Sequence, residues 1–189
     1  FLQFIAVVAS RTAQLVNYGD IASEVGISEV TAKKWLSLLV TSELVYLLPP
    51  FSVNVEKRVV KTPKLYFVDT GLAAYLTRWT DSEVLRFGAM SGAFFETYIV
   101  GEVLKSFCND GIEPPLYFYR DKDKIEIDLI IFLNNTIYPV EIKKTATPKL
   151  DDAKNFFITS RIKNVEVAPP CIVCSCGKPV SVAKGVMAI

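Results

Sequence analysis

Three acidic residues and one lysine have the types and spacing to bind a divalent cation. Asp128 lies in the apolar run KIEIDLIIFL, and Glu141 and Lys143 lie in the next run, TIYPVEIKK. Glu96 falls on the apolar stripe of a predicted helix, where a charge needs a partner or a cation. Carboxylates bind Mg²⁺ or Mn²⁺, the ion activates water, and a lysine stabilises developing charge. The set indicates metal-dependent phosphodiester hydrolysis.

The turn between the two apolar runs determines which residues oppose each other. Asn134 and Asn135 separate the runs, and both tolerate the positive φ of a two-residue hairpin turn. With that turn, Asp128 faces Glu141, at a Cβ separation of about 4.5 to 5.5 Å. Two opposed acids repel in the apo protein and are favourable around a divalent metal. Lys143 projects from the same face as Glu141, whereas a three-residue loop would break this register.

The predicted site has assigned roles and an alternative. Asp128, Glu141 and the carbonyl of Ile142 are the expected metal ligands, Glu96 accepts from a metal-bound water, and Lys143 faces the scissile phosphate. The structural alternative is a buried salt-bridge network of Asp128, Glu141, Lys143 and Glu126. Glu96 also has a structural interpretation, in which it lies at the end of the apolar stripe of its helix and its carboxylate reaches water.

The first third of the sequence has a helix-turn-helix pattern. Gly26 marks a turn and Ser28 can cap a second helix, whose apolar stripe begins at Ala32. Strand-like runs at LVYLLPPF and PKLYFVD would supply a wing, and segment 52–64 has four basic residues against one acid. Phosphate contact by this unit is one interpretation, and packing against another domain is the other. The expected DNA-binding residues are Thr31, Lys34, Lys57, Arg58 and Lys61.

Composition excludes several classes of function. The 189 residues have a net charge of +1, so any nucleic-acid site must be local. The sequence has no His, which removes His-based triads and His-ligated zinc, and it has no GxxxxGK[ST] loop for ATP. Cys171, Cys174 and Cys176 have metal-like spacing, but we interpret them as small buried hydrophobic residues.

The cellular setting follows from the same composition. The most apolar stretch, 35–51, is interrupted by polar residues and prolines, so we expect no membrane span. The opening segment has neither a basic lead-in nor a cleavage site, and we expect the chain to be part of a longer protein. Four cysteines without a disulfide framework suit a reducing compartment, the cytoplasm.

Element order predicts two domains. The first, 1–80, is a winged helix-turn-helix domain, and the second, 81–189, is an α/β domain with a polar joint at 77–88. The second domain is expected to contain a helix at 89–107, strands at 115–120, 124–133 and 136–144, a helix at 150–158 and a strand at 164–175. This αβββαβ order is a layered α/β arrangement.

These residues on that element order resemble the PD-(D/E)XK nuclease superfamily, with its restriction-endonuclease-like fold. The wider sequence resembles the C-terminal half of prokaryotic AAA-superfamily ATPases that contain domain of unknown function 4143. The matching text is VKTPKLYFVDTGLAAYL, SGAFFETYIVGEVLK, YRDKDKIEIDLII and PVEIKKT. The resemblance implies an upstream ATPase domain, DNA as partner and a possible nuclease. It departs at Ile127, where the superfamily has proline.

Two classes of function follow. One is a metal-dependent DNA phosphodiesterase module, and the other is a non-catalytic DNA-binding or regulatory module that keeps the nuclease fold. A third interpretation, protein interaction alone, would show neither DNA binding nor metal affinity.

Overall fold

A computed structural model describes residues 1–51, 60–79 and 81–189. The described chain divides into two compact units. The first comprises Phe1–Leu48 and Thr62–Gly101, and the second comprises Pro49–Lys61 and Glu102–Ile189.

The first unit has the order α-β-α-α-β-β, followed by further helices. Its elements are α1 (Leu2–Ala9), β1 (Gln14–Leu15), α2 (Tyr18–Val25), α3 (Glu29–Thr41), β2 (Val45–Leu48), β3 (Lys64–Phe67), α4 (Thr70–Leu76) and α5 (Ser82–Phe87), and α6 (Ser91–Asn109) begins in it. The three strands form an antiparallel sheet in the order β1-β3-β2.

Local signals in the sequence set the boundary between α2 and α3. Gly26 ends α2 in the left-handed conformation, at φ 75°, which glycine adopts without strain. The Ser28 side chain accepts a hydrogen bond from the Thr31 backbone N–H and caps α3. Ala32, Leu36 and Leu39 are buried on the core face of α3. The predicted helix, turn and helix are therefore confirmed.

The second unit is built on one mixed sheet. Its elements are β4 (Leu116–Arg120), β5 (Glu126–Leu133), β6 (Thr136–Lys143), a 3₁₀ helix (Leu150–Arg161), β7 (Glu166–Val167), β8 (Cys171–Cys174), β9 (Val180–Ala183) and β10 (Val186–Ala188). The strand order is β4-β5-β6-β8-β10-β9, and β7 also pairs with β6. Strands β5 and β6 are antiparallel, whereas β8 runs parallel to β6.

The β5–β6 hairpin has the predicted turn. Asn134 and Asn135 have φ of 49° and 60°, and Leu133 pairs with Thr136 across them. Positive φ at both central residues matches the right-handed twist of the strands. The register continues to the pair Leu129 and Val140, and the predicted alignment of the hairpin is confirmed from the turn to that pair.

Several predicted bounds need correction. The predicted strand at 164–175 is two strands, β7 and β8, separated by Pro169 and Pro170, because proline cannot donate to a strand ladder. The polar joint at 77–88 includes helix α5, which Asp81 caps. Strands β9 and β10 were not predicted.

The segment between β2 and β3 was expected to be a wing. Its described ends bond to β4, since Phe51 N–H donates to the Phe118 carbonyl and Val60 N–H donates to the Arg120 carbonyl, and the wing stays a prediction. The compact units therefore differ from the predicted domains 1–80 and 81–189, and that domain division stays a prediction.

None of the helices in the described ranges is long and apolar enough to span a membrane.

Phe51 tests whether the segment after β2 is part of the second unit. Phe51 is 2% exposed, and its ring packs edge-on against Tyr117 and Phe132 at centroid distances of 5.5 and 5.4 Å. We expect Phe51→Ala to lower the free energy of unfolding by about 3 to 5 kcal/mol. In amide hydrogen exchange, the loss of protection should include β4 and β5.

Phe87→Ala is the matched control, because Phe87 is 78% exposed and its truncation should change stability by less than about 0.5 kcal/mol. Unchanged protection in β4 and β5 after Phe51→Ala would show that this segment is not part of their core.

Candidate functional site

The candidate site begins where the β5–β6 ladder stops. Beyond the pair Leu129 and Val140, the Asp128 side chain forms the next hydrogen bond to β6. Its Oδ2 accepts from the Ile142 backbone N–H at 2.9 Å. A side chain thus substitutes for a backbone acceptor. This bond fixes the position of Asp128 against β6.

Glu141 and Lys143 complete the cluster from β6. Lys143 Nζ lies 2.7 Å from Glu141 Oε1 and 3.5 Å from Asp128 Oδ2. Side chains two residues apart on a strand share a face, which explains why both β6 residues reach Asp128. The structure therefore brings together Asp128, Glu141 and Lys143, as the hairpin register predicts.

The two carboxylates are buried and repel each other. The Asp128 and Glu141 side chains are 10% and 5% exposed. Burial and the nearby Asp128 charge raise the pKa of Glu141 from 4.5 to about 7, although Lys143 opposes the shift. Glu141 Oε2 is buried and has no hydrogen-bond partner among the described residues. A buried acceptor without a donor is costly, so this oxygen has capacity for a ligand.

The donor set fits a hard divalent cation in part. Two carboxylates, one with an unused buried oxygen, are ligands that Mg²⁺ accepts while it retains several waters. Within residues 1–51, 60–79 and 81–189, no group of three or more His, Cys, Asp or Glu residues could hold a metal ion. Asp128, Glu141 and the predicted Ile142 carbonyl would therefore supply all the protein ligands, with water at the other positions.

Glu96 has partners that the sequence analysis missed. It lies on α6 within the first unit, where its Oε1 accepts from Lys64 Nζ at 2.9 Å and from Tyr66 Oη at 2.6 Å. Lys64 and Tyr66 are buried in β3. A lysine inside the apolar strand KLYF was the signal for such a partner, because a buried ammonium requires a carboxylate. The catalytic role of Glu96 stays a prediction.

Glu126, a member of the alternative salt-bridge network, forms an ion pair with Arg120. Its carboxylate lies 2.8 Å from Arg120 Nη1, and the two residues are in register across β4 and β5. The two ion pairs of Lys143, with Asp128 and with Glu141, agree with the other three members of the salt-bridge network.

The predicted DNA-binding residues are in separate places. Thr31 lies in the first turn of α3, and its hydroxyl hydrogen-bonds with Ser28 at 2.8 Å. Lys34 is exposed on α3, and Lys61 is exposed in the part of the chain grouped with the second unit. Lys57 and Arg58 lie outside the described residues. The contacts stay predictions.

The four cysteines are free thiols. Cys174 and Cys176 pack against the core of the second unit, and Cys108 is exposed. Burial raises the pKa of Cys171 and of Cys174, which disfavours their thiolate forms.

Comparisons with known proteins match two parts of the chain. A profile described as domain of unknown function DUF4143 matches residues 91–189, and one described as DUF8612 matches residues 1–83. The uncharacterized proteins Rv2008c of Mycobacterium tuberculosis and Mb2031c of Mycobacterium bovis are each 30% identical over 137 residues. That alignment covers 72% of this chain and 30% of each relative. No solved structure matches significantly.

The raised pKa of Glu141 predicts a pH-dependent stability. The folded state keeps the Glu141 proton up to about pH 7, whereas the unfolded chain loses it near 4.5. Stability from this group is therefore full below 4.5 and is lost as pH rises through 7. Without metal, Glu141→Gln should gain stability over the wild type across this window, by up to about 3 kcal/mol at pH 8.

Denaturant unfolding in EDTA at several pH values measures this difference. The exposed Glu113→Gln is the matched control and should follow the wild type. A Glu141→Gln profile parallel to the wild-type profile would contradict the proposed burial and repulsion.

Proposed function

Because the chain belongs to the DUF4143 family, for which no function is described, we propose a function from its buried site: metal-dependent hydrolysis of DNA phosphodiester bonds. In this proposal the chain is the nuclease-like, DNA-binding C-terminal region of an AAA-superfamily ATPase. The observation that carries the proposal is the buried Oε2 of Glu141, close to Asp128 and Lys143, which has no hydrogen-bond partner in the described part of the chain.

The order of elements supports the proposed folds. From α6 onward, the elements α6, β4, β5, β6, the 3₁₀ helix and β8 follow the αβββαβ order of a restriction-endonuclease-like domain. In the first unit, the order α-β-α-α-β-β and the strand order β1-β3-β2 favour a winged helix. We therefore propose both folds for this chain.

The residues of the site have distinct proposed roles. Asp128 is held by the Ile142 N–H, and Glu141 Oε2 has no partner among the residues that the structure describes. These two carboxylates would hold Mg²⁺ or Mn²⁺ with the Ile142 carbonyl. The ion would supply an activated water and neutralise phosphate charge. Lys143 would face the scissile phosphate and stabilise its developing negative charge. With a pKa of about 7, Glu141 can exchange its proton near neutral pH.

A second candidate function is a non-catalytic DNA-binding or regulatory module. One observation favours it: Lys143 is already paired with both carboxylates, so the cluster is partly neutralised without metal. Ile127, where the resembling superfamily has proline, is a further departure. In this case the chain would bind duplex DNA without cutting it.

The partners are also proposals. The chain spans 30% of the length of the curated relatives, which leaves room in them for the ATPase domain that the resemblance implies. A chain of this composition with free cysteines suits the reducing cytoplasm.

Metal-dependent cleavage is the first test. With Mg²⁺ or Mn²⁺, the purified chain should convert plasmid DNA to nicked or linear forms, and EDTA should stop the reaction. Asp128→Asn and Lys143→Ala should each abolish turnover, because one removes ligand charge and the other removes the phosphate-facing ammonium. Both variants should keep the wild-type circular dichroism spectrum.

Asp123→Asn is the matched control, since Asp123 is an exposed acid in the loop before β5. Cleavage that persists in Asp128→Asn would contradict the nuclease proposal. DNA binding without cleavage in any metal would favour the non-catalytic DNA-binding function over the nuclease function.

DNA binding is the second test. Affinity for duplex DNA should fall as salt rises and should vary little with sequence, because lysines contact phosphates without reading bases. Lys34→Gln and Lys61→Gln should each weaken binding about twofold to fivefold at low salt in fluorescence anisotropy.

The exposed Lys149→Gln carries the same change of charge and should bind as the wild type does. Equal weakening by all three variants would indicate a general charge effect rather than the proposed contacts.

A further inference from the structure

The three charged groups of the site differ in their access to solvent. The side chain of Lys143 is 36% exposed, whereas those of Asp128 and Glu141 are 10% and 5% exposed. Asp128 is also held in place by the amide of Ile142. Lys143 is therefore the member of the trio with a solvent route along which its long flexible side chain can withdraw.

The ammonium of Lys143 lies beside both carboxylates, where a bound cation would also lie. Its Nζ is 2.7 Å from one carboxylate and 3.5 Å from the other, so it offsets their mutual repulsion. A divalent ion bound to the same oxygens would repel this ammonium strongly in a buried site. Even an ion held through Glu141 Oε2 would lie close to this ammonium, so each cation weakens the binding of the other.

We infer that Lys143 is a built-in competitor of the divalent cation: its ammonium holds Asp128 and Glu141 until the metal displaces it. This inference rests on the proposed function, because it concerns the same metal site. It adds a regulatory contact to that site, since Lys143 and the metal weaken each other's binding.

The displaced ammonium has a natural acceptor in the proposed reaction. A phosphate group at the site attracts Lys143, and Lys143 bound to phosphate no longer competes with the metal. Metal and DNA phosphate should therefore each raise the affinity for the other, as linked binding equilibria require. Without DNA, the site should bind metal weakly.

The test is a Mn²⁺ titration of the full chain at pH 8, with free Mn²⁺ measured by electron paramagnetic resonance. Lys143→Met keeps the length of the side chain and removes its charge. We expect this variant to bind Mn²⁺ about tenfold to a hundredfold more tightly than the wild type.

Two variants separate this effect from others. Lys144→Met removes the same charge at the next, exposed position and should change Mn²⁺ affinity less than about threefold. Glu141→Gln should abolish binding at the site. Unchanged or weaker Mn²⁺ binding by Lys143→Met, with binding in the wild type intact, would overturn the inference and leave the metal site standing. Absence of Mn²⁺ binding in every variant would overturn both.

A second measurement uses only the wild type and is therefore valid even if Lys143→Met does not fold. In NMR spectra of the wild type, Mg²⁺ titration should shift the Lys143 side-chain resonances toward those of exposed lysines. Lys143 resonances that stay constant while Mg²⁺ binds would also overturn the inference.

Discussion

Repulsion between two buried carboxylates is the constraint on which the candidate site depends. Asp128 and Glu141 lie side by side in the sheet of the second unit, where water cannot screen their charges. Three features reduce this repulsion: the raised pKa of Glu141, the ammonium of Lys143 and the Ile142 N–H that donates to Asp128. One oxygen of Glu141 is still without a partner in the described chain. The site therefore retains capacity for a cation.

The hairpin register makes this arrangement predictable from the sequence. Asn134 and Asn135 define a two-residue turn, and a turn of that length determines every opposed pair on the two strands. The same reasoning located the caps of α2 and α3, because Gly26 and Ser28 act through their own backbone neighbours. Local rules were sufficient wherever the partners were close in sequence.

Long-range partners were beyond the same reasoning. The bonds of Glu96 with Lys64 and Tyr66 join residues about thirty positions apart, and no spacing rule predicts them. The attachment of Phe51 and Val60 to β4 was missed for the same reason, since a hairpin-like sequence gave no sign that its connection bonds to another sheet. Strands β9 and β10 are short, and single strands of that length carry little periodic signal.

A crystal structure of the chain grown with Mn²⁺ would show whether the two carboxylates bind a cation in place of Lys143. We expect an anomalous scattering peak about 2.2 Å from the carboxylate oxygens of Asp128 and Glu141, with the Lys143 ammonium turned away from both. Lys143 still paired with the two carboxylates, and no anomalous peak beside them at high Mn²⁺ concentration, would contradict this expectation.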